Sequence, residues 1–134
     1  MPLKVADLVD RARARIKNLD VETAKAMHAN PDVVFVDLRD GNEIAAEGTI
    51  PGAVHMPRGN LEFWLDPDSS YFKPVFASGR QFVFFCAADL RSTLATAAAQ
   101  DFGLSNVAHI TGGFRAWRDA GGAVTDTPAP LSDL

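Results

Sequence analysis

Gln81-Phe82-Val83-Phe84-Phe85-Cys86-Ala87-Ala88-Asp89-Leu90-Arg91-Ser92 is the stretch that decides how this chain folds. Phe82 to Phe85 are uninterruptedly apolar, aromatic and β-branched. Such a run predicts a strand buried on both faces, as in the middle of a parallel sheet. The strand ends at Cys86, the only cysteine in the chain. Thr93 to Gln100 follow as an alanine-rich helical stretch. A thiol therefore stands at the carboxyl end of a strand, in a tight loop, facing the start of a helix. In open α/β sheets, ligands bind in that crevice. Amides at a helix start lack intrahelical partners, and the helix dipole adds partial positive charge. Arg91 adds a full charge. A thiol in such a field ionises more readily, and the thiolate is the nucleophile. The same donors suit an anionic substrate or a negatively charged sulfur adduct.

Size and composition narrow the classes. A chain of 134 residues suits one domain, and 47% hydrophobic content supports a core without metals or disulfides. One cysteine forms no internal disulfide and no multi-cysteine zinc cluster, and it fits a reducing compartment. The net charge of −4 argues against general nucleic-acid binding. No apolar run is long enough to span a membrane, and the N-terminus, with Asp7 and Asp10, lacks a signal core. The expected location is the cytoplasm.

Outward from the cysteine, strand-like and helix-like segments alternate. Residues 3–17 read as a helix with Leu3, Val5, Leu8, Val9, Ala12 and Ile16 near one face and basic residues crowding its end. This 1–17 extension is expected to pack on the domain with a solvated basic face. Asp20 caps a second helix, and His28 near its end suits the dipole. Val33 to Val36 form another buried strand, ending in Asp37-Leu38-Arg39. Asp37 reads as a structural carboxylate pairing with an arginine or capping a turn. Glu43 to Glu47 make a short helix closed by Gly48. Pro51-Gly52 forces a turn, and Ala53-Val54 add a short strand. His55, with no carboxylate near it in sequence, reads as structural. Arg58 to Leu65 begin a helix, and Phe63, Trp64, Tyr71, Phe72 and Phe76 are candidates for core or pocket wall. The helix that follows the cysteine loop ends near Gly103, Asn106 to Ile110 form a strand, and Gly112-Gly113 lets backbone approach the cysteine loop. Phe114 to Ala120 form a last helix with Trp117 inward, and residues 125–134 are expected to be a mobile tail.

Three segments resemble one known family. Cys86-Ala87-Ala88-Asp89-Leu90-Arg91-Ser92 resembles the C-x-x-x-x-R-S loop of single-domain rhodaneses. Gly48-Thr49-Ile50-Pro51-Gly52-Ala53 resembles the family's G-H-I-P-G-A segment, with Thr49 in place of histidine. Gly112-Gly113-Phe114-Arg115-Ala116-Trp117 resembles its G-G-x-x-x-W segment. Their order covers most of the chain and gives a rhodanese-like domain over 18–124. The fold expected is α/β, a mainly parallel central sheet with helices on both faces.

The resemblance implies a sulfurtransferase. Cys86 takes a sulfane sulfur from thiosulfate or a persulfide and passes it, as a Cys86 persulfide, to cyanide or a thiol. The expected partners are that small-molecule donor and acceptor, with a protein thiol as a further acceptor class; no nucleic acid, membrane, cofactor or metal is called for. Ala87, Ala88, Asp89, Leu90, Arg91 and Ser92 form the expected substrate cradle, and Arg58 lies near its rim. Asp89 departs from the glycine many relatives carry. Three roles are open to it: accepting a left-handed backbone, bonding a helix-start amide, or repelling a dianionic donor. Two alternatives stay open. One is a cysteine-dependent phosphatase or arsenate reductase of related fold, whose loops carry one residue more between Cys and Arg. The other is a non-catalytic binding module, against which the presence of Cys86 speaks.

Overall fold

The buried apolar runs do become the middle of the sheet. The computed structural model describes residues 2–134. Six helices and five strands follow one another: α1 Val5–Arg15, β1 Lys17–Leu19, α2 Val21–His28, β2 Val33–Asp37, α3 Gly41–Glu47, β3 Val54–His55, α4 Leu61–Leu65, β4 Gln81–Phe85, α5 Leu90–Asp101, β5 Val107–Ile110 and α6 Gly113–Asp119. Every pairing is parallel, in the order β1-β5-β4-β2-β3. β4 lies at the centre, so its four residues Phe82 to Phe85 are wholly buried.

Alternation along the strands sorts the core into two layers. Val34, Val36, Phe82 and Phe84 face Leu61 and Leu65 of α4 and Ala95 and Ala99 of α5. Phe35, Val83, Phe85 and Ala108 face Ala24 of α2 and Phe114 and Trp117 of α6. Helices thus cover both faces. All strands run the same way, so all their carboxyl ends share one edge. The cysteine loop follows β4 at that edge.

α1 sits outside the layers, packed on α5 through Ala12, Ile16, Leu94 and Ala97. Of its expected apolar face only Val9, Ala12 and Ile16 are buried; Leu3, Val5 and Leu8 are exposed. The apolar residues that pack on α5 come from the later turns of α1 and its end. Residues 125–134, expected as a mobile tail, lie along the domain. Thr125 and Thr49 exchange backbone hydrogen bonds of 2.9 and 2.8 Å, and Ala129 N donates to Ala53 O. Ala129 and Leu131 pack on the core.

One buried ion pair holds the edge beneath the loop. Arg39, wholly buried, donates from Nε and Nη2 to the two oxygens of Asp37 at 3.0 and 2.8 Å. Nη2 also donates to Gly48 O at 2.6 Å, and the guanidinium lies 4.2 Å from the Phe114 ring centroid. Thr49 Oγ1 donates to Asp37 Oδ2 at 2.7 Å, and His55 Nε2 meets Arg39 O at 2.6 Å. Asp37 is therefore the structural carboxylate that its strand-end position implied. Thr49 serves it with a hydroxyl, and His55 has a structural partner. Replacing Asp37 by Ala strips the buried guanidinium of its two short carboxylate bonds and leaves it, as an ion pair, only the longer 3.8 Å contact to Glu47, which should cost about 3–5 kcal/mol. Denaturant unfolding should show that loss; a cost near that of a surface substitution would mean that the pair does not hold the edge.

Candidate active site

The cysteine loop is shaped from below by α6. Phe114 N donates to Cys86 O at 2.8 Å and Arg115 N to Ala87 O at 3.1 Å. These bonds turn the two carbonyls toward α6. In a trans peptide the following N–H points the opposite way, so the amides of Ala87 and Ala88 face away from that helix. The approach needs glycine at 113. A Cβ there would lie 2.4 Å from Cys86 O and 2.5 Å from Ala88 O, and the backbone has φ +61°. The expectation that Gly112-Gly113 admits the loop is met at Gly113.

Cys86 is 1% exposed and free. Its Sγ accepts from Ser92 N at 3.4 Å and stands 3.5 Å from Ser92 Oγ. The first backbone bond of α5 runs from Thr93 N to Asp89 O. Leu90 and Arg91 amides thus begin the helix without an intrahelical acceptor. The thiol sits at the positive end of a twelve-residue helix.

Arg91 does not point freely into the loop. Nη1 and Nη2 donate to Glu43 of α3 at 2.7 and 3.0 Å. The Arg91 hydrogen bonds hold the Glu43 carboxyl down at about 2, against a partial rise from burial. The same pairing raises the Arg91 pKa. Glu43 in turn completes a capping box with Asp40, so α3 is locked to the helix that carries the loop.

Asp89 departs from two of its three expected roles. Its φ of −155° is not left-handed, and its side chain makes no capping bond. Instead it forms an ion pair with Arg13 of α1. The basic end of α1 thereby offsets a carboxylate in the loop that follows Cys86. Arg58 lies at the same sheet edge, with its N donating to Leu38 O at 3.3 Å. Its side chain pairs with Glu62 and lines a crevice with Arg11, Arg15 and Leu94, between α1 and α5. Among the aromatics, Phe76 is core, whereas Phe63 and Tyr71 are exposed and pack edge to face on each other.

Behind the thiol lies a polar chain that the sequence reading did not find. Ser92 Oγ is 2.9 Å from His109 Nδ1, and His109 Nε2 is 2.7 Å from Asn18 Oδ1. His109 is wholly buried, and burial lowers its pKa. The available signal was a lone histidine between apolar residues in a predicted strand. Its partner was hidden, because the parallel register of Asn18 beside His109 is set by β1–β5 pairing. Among the described residues, no cluster of His, Cys, Asp or Glu is arranged to hold a metal ion, and no helix is long and apolar enough to cross a membrane.

The rhodanese-like domain family model matches residues 20–120, and the chain belongs to that family. Human thiosulfate:glutathione sulfurtransferase is 32% identical over 60% of this chain and 75% of its own length. The structure of a human single-domain sulfurtransferase superposes with TM-score 0.63 at 28% identity, covering 76% of this chain and 95% of that one. A Rhodopseudomonas palustris protein, described as of unknown function and a possible tyrosine phosphatase, superposes with TM-score 0.88 at 49% identity. That match covers 93% of this chain and 99% of the other.

The Arg91–Glu43 clamp carries a pH signature. A depressed carboxyl pKa contributes stability that is present above the ordinary value of 4.5 and is lost as pH falls toward about 2. Glu43→Gln should therefore lower the midpoint of unfolding at neutral pH, with the deficit shrinking through that acid window. A deficit that persists unchanged at the acid end would show that the carboxylate charge is not what Arg91 holds.

Proposed function

We propose that this protein is a sulfurtransferase in which Cys86 carries the sulfur. The observation that carries the reading is the seat of the thiol. It lies at the carboxyl end of the central strand and the start of α5, with the Ser92 amide directed at Sγ. In the first half-reaction the Cys86 thiolate attacks the outer sulfur of thiosulfate or of a persulfide. With thiosulfate, the S–S bond of the donor breaks, and sulfite leaves with its electron pair. The enzyme is left as the Cys86 persulfide. In the second, cyanide or a thiol attacks the outer sulfur and returns the thiolate. A protein thiol is an acceptor of the same chemistry.

In this reading the amides of residues 87 to 91 cradle the persulfide anion. Arg91 acts mainly by fixing the loop, since Glu43 takes its guanidinium. The Arg58 guanidinium is taken by Glu62 and adds little free charge at the sheet edge. The Asp89 charge, offset by Arg13, weighs less against anionic donors than an isolated carboxylate would. The free thiol needs a reducing environment to stay reactive, which favours the cytoplasm.

A second reading is phosphatase chemistry, favoured by the description of the R. palustris relative. Two features weigh against it. Only four residues separate Cys86 from Arg91, a small cradle for a tetrahedral phosphoryl group. The arginine that would hold that group is already paired twice with Glu43.

Thiosulfate treatment should add one sulfur to the wild-type protein in intact-mass analysis, and none to Cys86→Ser. The Ser variant should fold and lose sulfur transfer by more than a hundredfold, while aryl phosphate turnover by the wild type stays negligible beside it. Vigorous phosphate hydrolysis with no persulfide would reverse the ranking of the two readings.

A further inference from the structure

The orientation of one amide fixes the proton positions behind Cys86. Asn18 Nδ2 lies 3.1 Å from Arg13 O and 3.3 Å from Ile16 O. Both are carbonyl acceptors, so this end of the amide is the NH2 group and Oδ1 faces His109. An acceptor at 2.7 Å requires His109 Nε2 to carry a hydrogen. In the neutral ring Nδ1 then holds a lone pair. Ser92 Oγ, 2.9 Å away, donates its hydrogen there. The alternative acceptor, Asp89 O, is farther at 3.2 Å. With its hydrogen so directed, Ser92 Oγ offers a lone pair to the Cys86 thiol at 3.5 Å. The chain runs Cys86, Ser92, His109, Asn18, and Cys86, Ser92 and His109 are all buried.

We propose that His109 is the proton acceptor for the Cys86 thiol, acting through the Ser92 hydroxyl. The proposal rests on Cys86 being the reacting thiol, and it names the residue that ionises it. The Cys86 S–H bond breaks, its electron pair stays on sulfur, and its proton goes to Ser92 Oγ. The original Ser92 hydroxyl proton goes to His109 Nδ1. The products are a thiolate that still accepts from Ser92 N and an imidazolium that still donates from Nε2 to Asn18. No other reagent is needed, and protonation of the returning thiolate runs the same path backward.

The surroundings suit a base that is neutral at rest. Burial lowers the His109 pKa, which keeps the lone pair on Nδ1 at neutral pH and makes the imidazolium, disfavoured by the same burial, a transient holder of the proton. Of the charged groups facing it, Asp89 at the start of α5 favours the imidazolium, and Arg13 on α1 opposes it. Their ion pair makes the two influences partly cancel. Asn18 and Arg13 both precede the span matched by the family model, so this arrangement draws on the chain's own N-terminal segment.

The test is the rate of Cys86 alkylation by iodoacetamide, a neutral reagent that requires no sulfur donor, followed from about pH 6 to about pH 10. The variants are His109→Asn, Ser92→Ala, Ser92→Thr and the His109→Asn/Ser92→Ala double. Asn retains an acceptor for Ser92 but no base. His109→Asn and Ser92→Ala should each alkylate about tenfold more slowly than wild type near pH 7, and the difference should close toward the alkaline end of the range, where hydroxide replaces the internal base. The double variant should match the slower single, because both interrupt one path. Ser92→Thr, which keeps the hydroxyl, should stay close to wild type. Profiles identical to wild type in both single variants, or losses that multiply in the double, would overturn the proposal. Should His109→Asn fail to fold, the Ser92→Ala and Ser92→Thr profiles decide alone. A His109-dependent profile in a protein that forms no persulfide would retire the sulfur-transfer reading and leave the proton path standing.

Discussion

The close approach of Gly113 to the carbonyls of Cys86 and Ala88 is the constraint on which the site depends. The amides that begin α6 draw Cys86 O and Ala87 O to one side. The loop is thus curved by bonds made behind it. Helix α5 starts where that curvature ends, and its first free amides and its dipole then act on the thiol. The buried Asp37–Arg39 pair supports the same arrangement from the neighbouring strand, with Arg39 set against the Phe114 ring. Fold and site are linked through α6: Phe114 and Trp117 fill the core under the sheet while the helix start grips the loop.

The central strands and the thiol were legible because their signals are local, whereas β1 at Lys17–Leu19 begins inside the stretch read as helix. Four consecutive apolar residues predict a buried central strand whatever surrounds them, and β4 is that strand. A cysteine between such a run and an alanine-rich stretch marks a strand-to-helix turn. Asp37, at the end of a strand, found an arginine two residues away. What escaped the reading depends on contacts between distant segments. Arg13 and Asp89 are far apart in sequence, and so are Asn18 and His109. Their meeting follows from α1 lying on α5 and from β1 joining the sheet beside β5. Leu3, Val5 and Leu8 share the helical period of Val9 and Ala12, but periodicity does not say where the partner helix ends.

The N-terminal segment consequently has more to do than fill a surface. The family model begins at residue 20, after α1 and β1. Yet Arg13 pairs with a carboxylate in the cysteine loop, and Asn18 orients a buried histidine behind it. Asp89 in that loop is matched by a cation that precedes the span of the family model. The cysteine loop and Asp89 therefore depend on the N-terminal segment, where the Arg13 carbonyl of α1 and the Ile16 carbonyl just past its end hold the Asn18 amide.

The most direct measurement is a crystal structure of the protein after exposure to thiosulfate. Sulfur transfer predicts one additional sulfur at about 2.05 Å from Cys86 Sγ, the length of a disulfide bond. The amides of residues 87 to 91 should be directed at that atom. An intact thiol with a tetrahedral oxyanion held between the loop and an Arg91 released from Glu43 would contradict it.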